Sequence, residues 1–464
     1  MKKVIGALLL SGLAFGNAIA SVPNDIQSNF NSGNYSKVES LIKNEKKLSK
    51  FEADSLCAIM SRIRSDFRLS YTEGIKAIQQ KFPHVTKQNI DNWIAKKYIE
   101  VKNIDGELYM YRKTVSNLDR LVPELSKKRR VEHIQEDKAK AVNAENAIKN
   151  ASDKGLSEPR TVTLKFSATV HADAVPAGET VRVWLPFPIN SERQSDATLI
   201  SSSDNVVYSK GAVHNTVYME KKAISGKETY FECVVSYKTR SQYYSPEYIL
   251  KNKKEYNRGS ELYKKYTKTE LPHIIITDSI KALAESIVGT ESDSFKQASL
   301  IYEWVDAYFP WAGAREYSTI PNMPNYVLEN GHGDCGQVSL LYITLLRSLG
   351  IPARWESGYM LDETSAGMHD WAEVYYEGIG WVPVDMSFGL LEVASDEKVC
   401  DFYKTGLDEY RFASNKGVNG KLYPEKQYVR SETVDFQLGE VEWKGGNLFY
   451  YKDWTPKVEL IKFE

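Results

Sequence analysis

Between residues 161 and 241 apolar and polar positions alternate. The stretch "TVTLKFSATV" sets Val162, Leu164, Phe166, Ala168 and Val170 on one side, and "TVRVWLPFP" does the same with Val181, Val183 and Leu185. In "ETYFECVVSYKTR", Phe231, Cys233, Val235 and Tyr237 alternate with Glu232, Val234 and Ser236. A period of two is that of half-buried strands, so 161–242 reads as a small β-sandwich. N-terminal to it the period lengthens. In "KFEADSLCAIMSRIRSDF", Phe51, Leu56, Ile59, Ile63 and Phe67 recur every three to five residues, the buried stripe of an amphipathic helix. The text after Leu69 predicts two more helices and a hairpin turning at Asp105-Gly106, giving a helical domain over 21–126. Residues 127–160, rich in charge and alanine and ended by Gly and Pro, read as a solvated helix or linker. From 243 to 464, helices such as "DSFKQASLIYEWVDAYF" give way to short aromatic strands, which predicts an α+β domain.

Composition narrows the partners. At 464 residues the chain exceeds one compact core. With 60 Lys and Arg against 61 Asp and Glu, its net charge of -1 offers no field for nucleic acid. That removes a winged DNA-binding reading of the N-terminal helices and hairpin, whose outline it shares. Residues 1–20, "MKKVIGALLLSGLAFGNAIA", combine a Lys2-Lys3 head, an apolar run and a small-residue end at Ala18 to Ala20. This is the build of a secretory signal cleaved after Ala20, and the run is shorter than the roughly 20 apolar residues that span a bilayer. The mature chain is expected to be exported, periplasmic or extracellular, without a transmembrane segment. Export permits disulfides, yet Cys57, Cys233, Cys335 and Cys400 are too sparse for a stapled scaffold. Cys233 reads as a small inward hydrophobe, and one pair among the others stays open.

Cys335 is placed differently. In "GHGDCGQVSLLYITLLRSLGIPAR" the positions Val338, Leu341, Tyr342, Leu345, Leu346 and Leu349 predict a helix buried on one side, stopped by Gly350 and Pro352. Cys335 then lies in its first turn, where unpaired N–H groups and the helix dipole favour a thiolate. A nucleophilic role needs a base and an orienting group. Downstream, "HDWAEVYYEGIGWVPVDMSF" predicts a strand starting at His369, a turn at Gly378 to Gly380, and a second strand carrying Asp385. Asp385 reaches the His369 face only if the turn has an odd register or a bulge, with residue 376 opposite 380. His332 and Asp334 flank the cysteine and compete as base, but are expected to cap or line the loop. Asp370 competes with Asp385 as the orienting group, but its neighbour's parity turns it to the opposite face. The expected set is catalytic Cys335, His369 and Asp385, with Trp311 or Tyr317 as oxyanion donors beside the Cys335 N–H.

At "GDCGQVSLLYITLLRSLGIPAR", "HDWAEVYYEGIGWVPVD" and, more loosely, "IYEWVDAYFPWA", the sequence resembles the transglutaminase-like superfamily. The resemblance implies a papain-like core, preceded here by a β-sandwich and an N-terminal helical domain in an α+β multidomain chain. It implies acyl transfer at an amide, with Cys335, His369 and Asp385 matching the family's catalytic residues. Calcium sites of animal members are not carried over, because no run offers six oxygen ligands at loop spacing; no metal and no other cofactor is expected. The leading expectation is a peptidase or amidase acting on a peptide, protein or amide-bearing cell-wall substrate. The alternatives are a glutamine transamidase using the same triad, and a non-catalytic glycan- or peptide-binding protein presenting the C-terminal aromatics.

Overall fold

The loop at Asp105-Gly106 takes positive φ at both positions, +52° and +91°, while Ile104 faces Glu107. This two-residue hairpin needs the left-handed region twice, which Asp-Gly supplies at low strain. The computed structural model describes residues 22–45, 48–125, 127–209, 212–362 and 365–464, leaving aside the side chains of 127–130. The expected signal segment 1–20 lies outside the described residues. Among those described, no helix is long and apolar enough to cross a membrane.

The chain divides into two compact units, each assembled from separate segments. The first takes 1–133, 269–290 and 307–349. Its helices Lys50–Asp66, Tyr71–Lys81 and Lys87–Ala95 start where reciprocal capping pairs occur: Ser49 with Glu52, Ser70 with Glu73, Thr86 with Asn89. Leu56, Met60, Ile63 and Phe67 form a core with Ile26, Phe30, Tyr35 and Val38. Phe51, expected in that stripe, is 51% exposed in the first turn of its helix, and Met60 is the buried apolar residue between Leu56 and Ile63. The same unit holds helices Asp278–Val288, Met323–Asn330 and Cys335–Ser348.

The second unit takes 134–268, 291–306 and 350–464. All the alternating residues named at its start are buried, Val162, Leu164, Val183, Phe231 and Cys233 among them, in one core shared by two sheets. One sheet runs Trp454–Phe463, Arg160–Val170, Thr229–Thr239, Gln194–Ser202; the other centres on Thr180–Pro186 between Glu440–Trp443 and Thr216–Lys222. The terminal strands, which sequence order attaches to the α+β region, thus close the sandwich. Trp454 faces Val170 and Val441 faces Val183. Pairing over nearly three hundred positions leaves no local signal, because strand periodicity states which side is buried and not which strand lies alongside. A third sheet runs Gly380–Val384, Ala366–Tyr376, Ala353–Leu361, Arg411–Asn415. The fold is therefore mixed α+β with several antiparallel sheets.

Candidate active site

In the first unit, Cys335 opens the helix Cys335–Ser348. Asp334 is its N-cap: the carboxylate accepts the Gln337 N–H at 3.1 Å, and the Gln337 side chain accepts the Asp334 N–H at 3.1 Å. The helix is apolar on more faces than the one-sided stripe predicted. Leu340 and Ile343 are as buried as Leu341 and Leu345, and every residue from Gly336 to Arg347 is enclosed. A helix with apolar residues all round is a core helix. Cys335 itself is only partly buried, and none of the four cysteines is in a disulfide.

Each residue around this helix mouth has a defined engagement. Tyr317 donates its hydroxyl to Asp334 Oδ1 at 2.6 Å, so its single proton serves the cap. Trp311 makes a parallel bridge with Gly333, and its ring lies under the Arg120 guanidinium at 4.1 Å. His332 is buried, with Nε2 3.2 Å from the Lys97 carbonyl. Burial lowers its pKa below the ordinary value, so it holds a neutral ring turned to the helical region. Burial also raises the Asp334 carboxyl above its usual range, against the opposing Tyr317 hydrogen bond.

In the second unit, Tyr376 faces Gly380 and Ala372 faces Val384. That is the register required for Asp385 to reach the His369 face. His369 Nε2 lies 2.7 Å from Asp385 Oδ2. The other oxygen, Oδ1, accepts the N–H groups of Ser387 at 3.2 Å and Phe388 at 3.3 Å and the Ser387 hydroxyl at 3.3 Å. Arg411 Nη2 adds a cationic partner to Oδ2 at 3.2 Å and also reaches Asp408 at 3.1 Å. Burial alone would raise the Asp385 carboxyl; His369, its hydrogen bond and Arg411 outweigh this and hold it below the usual range. An ionised carboxylate only accepts, so His369 carries a proton on Nε2, and the neutral ring then has its lone pair on Nδ1. The Phe388 ring packs against the imidazole in a tilted arrangement, with centroids 4.9 Å apart, and Trp371 Nε1 is tied to Glu356 Oε2 at 2.6 Å. Asp370 does not enter this pair: its Oδ1 accepts from Gln437 Nε2 at 2.8 Å.

Arg411, Ser387 and Phe388 were not found from sequence. "DMSF" carried a usable signal, since an Asp commonly folds its carboxylate over the N–H groups two and three residues on. Arg411 gave none; only its burial, at 3% exposure, shows that it must face carboxylates. Among the described residues no group of three or more His, Cys, Asp or Glu could hold a metal ion.

Residues 281–386 match the Transglutaminase-like superfamily. An uncharacterized protein of Haemophilus influenzae is 25% identical over 216 residues, covering 37% of this chain and 55% of its own length. YebA of Bacillus subtilis, also uncharacterized, is 26% identical over 165 residues, covering 32% of this chain and 21% of its own length. The chain thus spans only 55% and 21% of these curated relatives. A solved structure described as a candidate cysteine protease from Cytophaga hutchinsonii is 15% identical, covering 66% of this chain and 99% of its own, with a TM-score of 0.41.

Proposed function

Taking residues 281–386 as a transglutaminase-like core, we propose that the chain is an exported thiol-dependent acyl-transfer enzyme, a peptidase or amidase using Cys335, His369 and Asp385. The observation that carries this reading is the 2.7 Å contact of His369 Nε2 with Asp385, which leaves the Nδ1 lone pair as a base. In the first half-reaction His369 takes the Cys335 proton, and the thiolate attacks the amide carbon. The C–N bond then breaks, and the imidazolium returns the proton to the leaving amine, giving a thioester and a free amine. Asp385, itself held in place by Arg411, keeps the imidazole in one tautomer and stabilises its charged form. In the second half-reaction His369 takes a proton from water as its oxygen bonds to the thioester carbon; the C–S bond then breaks, the imidazolium returns the proton to the sulfur, and the product leaves as a carboxylic acid that ionises in solvent. The substrate class is a peptide, protein or other amide. Export rests on the composition of residues 1–20.

The experiment is incubation with a glutamine peptide and a labelled primary amine, with Cys335→Ala as the control. Free carboxylate formed by the wild type and lost in the control supports hydrolysis. Product carrying the label makes the enzyme a transamidase, and the absence of both products overturns the acyl-transfer reading for that amide.

A further inference from the structure

The segment following Phe309 runs beside the cysteine loop and has backbone groups to satisfy on both edges. On one edge it pairs with that loop: Ala312 N–H donates to the Gly333 carbonyl at 3.0 Å, and Gly333 N–H donates to the Pro310 carbonyl at 3.3 Å. On the other edge the partner is a side chain, Asn117 of helix Thr114–Leu121. Its Nδ2 donates to the Gly313 carbonyl at 3.1 Å, and the Gly313 N–H donates back to its Oδ1 at 2.9 Å. The carboxamide thus imitates one rung of a strand ladder. Two further groups of the helical region fix the segment beyond it, the Tyr111 hydroxyl on the Ala314 carbonyl and Asp66 Oδ2 on the Glu316 N–H at 2.8 Å. Gly313 lets the helix approach, since a Cβ there would stand 2.8 Å from Lys113 Cδ and 3.3 Å from Asn117 Oδ1.

We propose that Asn117 is a positioning residue for Cys335, and that the N-terminal helical region is a wall of the cysteine site. The path is short and continuous: Asn117 holds Gly313, the neighbouring Ala312 holds Gly333, and Gly333 lies two residues before the nucleophile. Asp334, between them, is held from the same segment by Tyr317. A buried asparagine in a short helix is a poor choice for stability alone, because its amide must be desolvated and its helix propensity is low. An apolar residue at 117 would pack without that cost, but it would leave both Gly313 groups unpaired. The consequence for Cys335 rests on the hydrolase reading; the geometry of the rungs does not.

The test compares Asn117→Ala with Leu118→Ala in the full chain. Leu118 is fully buried in the helical core and next in sequence, so its truncation loosens the same helix without touching Gly313. Two quantities are read at a temperature where both variants are folded: hydrogen exchange of peptides covering 309–318 and 331–336, and the rate of Cys335 alkylation by iodoacetamide between about pH 5 and 9. Asn117→Ala is expected to raise exchange in both peptides about tenfold, and to slow alkylation about tenfold with an altered pH profile, while Leu118→Ala leaves both near wild type. Equal responses from the two variants, or none from Asn117→Ala, overturn the proposal. If Asn117→Ala does not fold, Gly313→Ala spreads the same rungs from the other side and is read in the same way. If wild-type Cys335 reacts no faster than Cys57 and Cys400, the hydrolase reading fails, and the exchange result alone supports or overturns the clamp.

Discussion

His369 and Asp385 meet at 2.7 Å because Tyr376 stands opposite Gly380. Extending that register outward sets Asp385 opposite Trp371, two positions from His369, where side chains on one face reach each other diagonally. The loop of three residues, 377–379, is what makes this parity. A two-residue loop would have turned Asp385 to the far side of the sheet and left His369 facing no carboxylate. Gly378 and Gly380, with φ of +86° and +113°, let the chain turn in that length.

Replacing Asp385 by Asn tests both the tautomer and the ion pair. The carboxamide can turn its NH2 to the imidazole, which moves the ring proton to Nδ1 and removes the base. Amide turnover is expected to fall roughly a thousandfold to ten-thousandfold. Arg411 keeps Asp408 but loses its second carboxylate while buried, so urea unfolding should show a loss of about 3 kcal/mol at neutral pH. The folded pKa of Asp385 is depressed, so its contribution is complete above the unfolded value of about 3.9 and is lost as pH falls through the lower folded value. The stability difference between wild type and variant should therefore shrink below about pH 4. A difference that does not shrink there contradicts the assigned ion pair.

The four thiols should separate on mild alkylation. Burial pushes Cys233 up to about 12. Burial and then Glu39 raise Cys57, and burial and then Asp401 raise Cys400. All three should be protonated near pH 6 and react slowly with iodoacetamide. If Cys335 pairs with an imidazole at a helix N-terminus, mass spectrometry should find it carrying almost all the label. Slow, even labelling of the four cysteines would favour a catalytically idle core that binds glycan or peptide.

What the sequence made legible was local. Alternation from Val162 to Val170 and from Phe231 to Tyr237 named the buried side of each strand, and Asp105-Gly106 named the hairpin. The turn at Gly378 to Gly380 was expected to have the odd register or bulge that Asp385 needs to reach the His369 face, and Tyr376 stands opposite Gly380. The opposite held for contacts between distant segments. Nothing local in "RFASN" tells that Arg411 lies against Asp385, nor in "TVSNLDRL" that Asn117 would bond Gly313, 196 positions away. Such side chains look like ordinary solvated residues until burial shows that they must be paired. The enclosure of the cysteine helix was understated for a related reason. A one-sided stripe and a core helix share the same apolar positions and differ only at Leu340 and Ile343.

Gly358 faces His369 across the ladder, and its own strand is bulged between Ser357 and Gly358 where Arg411–Asn415 joins. A Cβ there would stand 1.9 Å from the Phe412 carbonyl oxygen, a backbone atom that cannot swing aside. The Gly358 carbonyl also shares Gln437 Nε2 with the His369 carbonyl, each at 3.1 Å. Gly358→Ala should therefore push Arg411–Asn415 outward and disturb the Arg411 contact with Asp385. We expect a loss of about 1–3 kcal/mol in denaturant unfolding, together with a fall in amide turnover exceeding that of Gly367→Ala on the neighbouring strand. At Gly367 the nearest atom is the flexible Met360 side-chain end at 3.3 Å. Equal, small effects of the two substitutions would show that the bulge tolerates a methyl group and does not set the Arg411 position.

A second acid-sensitive group lies in the first unit. His273 is 2% exposed, and its Nδ1 has no hydrogen-bond partner among the described residues. Burial lowers its pKa from 6.5 to about 3, so the folded protein keeps the ring neutral while the unfolded chain takes up a proton as pH falls below 6.5. Between those values the unfolded state binds more protons, and stability is lost with acid at about 1.4 kcal/mol per pH unit. His273→Phe, which keeps a ring and has no proton to gain, should match wild type at neutral pH. It should exceed wild type by about 3 kcal/mol in urea unfolding at pH 4. Other titrating groups, Asp385 and the buried His214 included, are common to both proteins and cancel in the comparison. Parallel curves from pH 7 to 4 would mean that His273 finds a partner for its proton in the folded state, and the acid lability would then belong to the remaining buried groups.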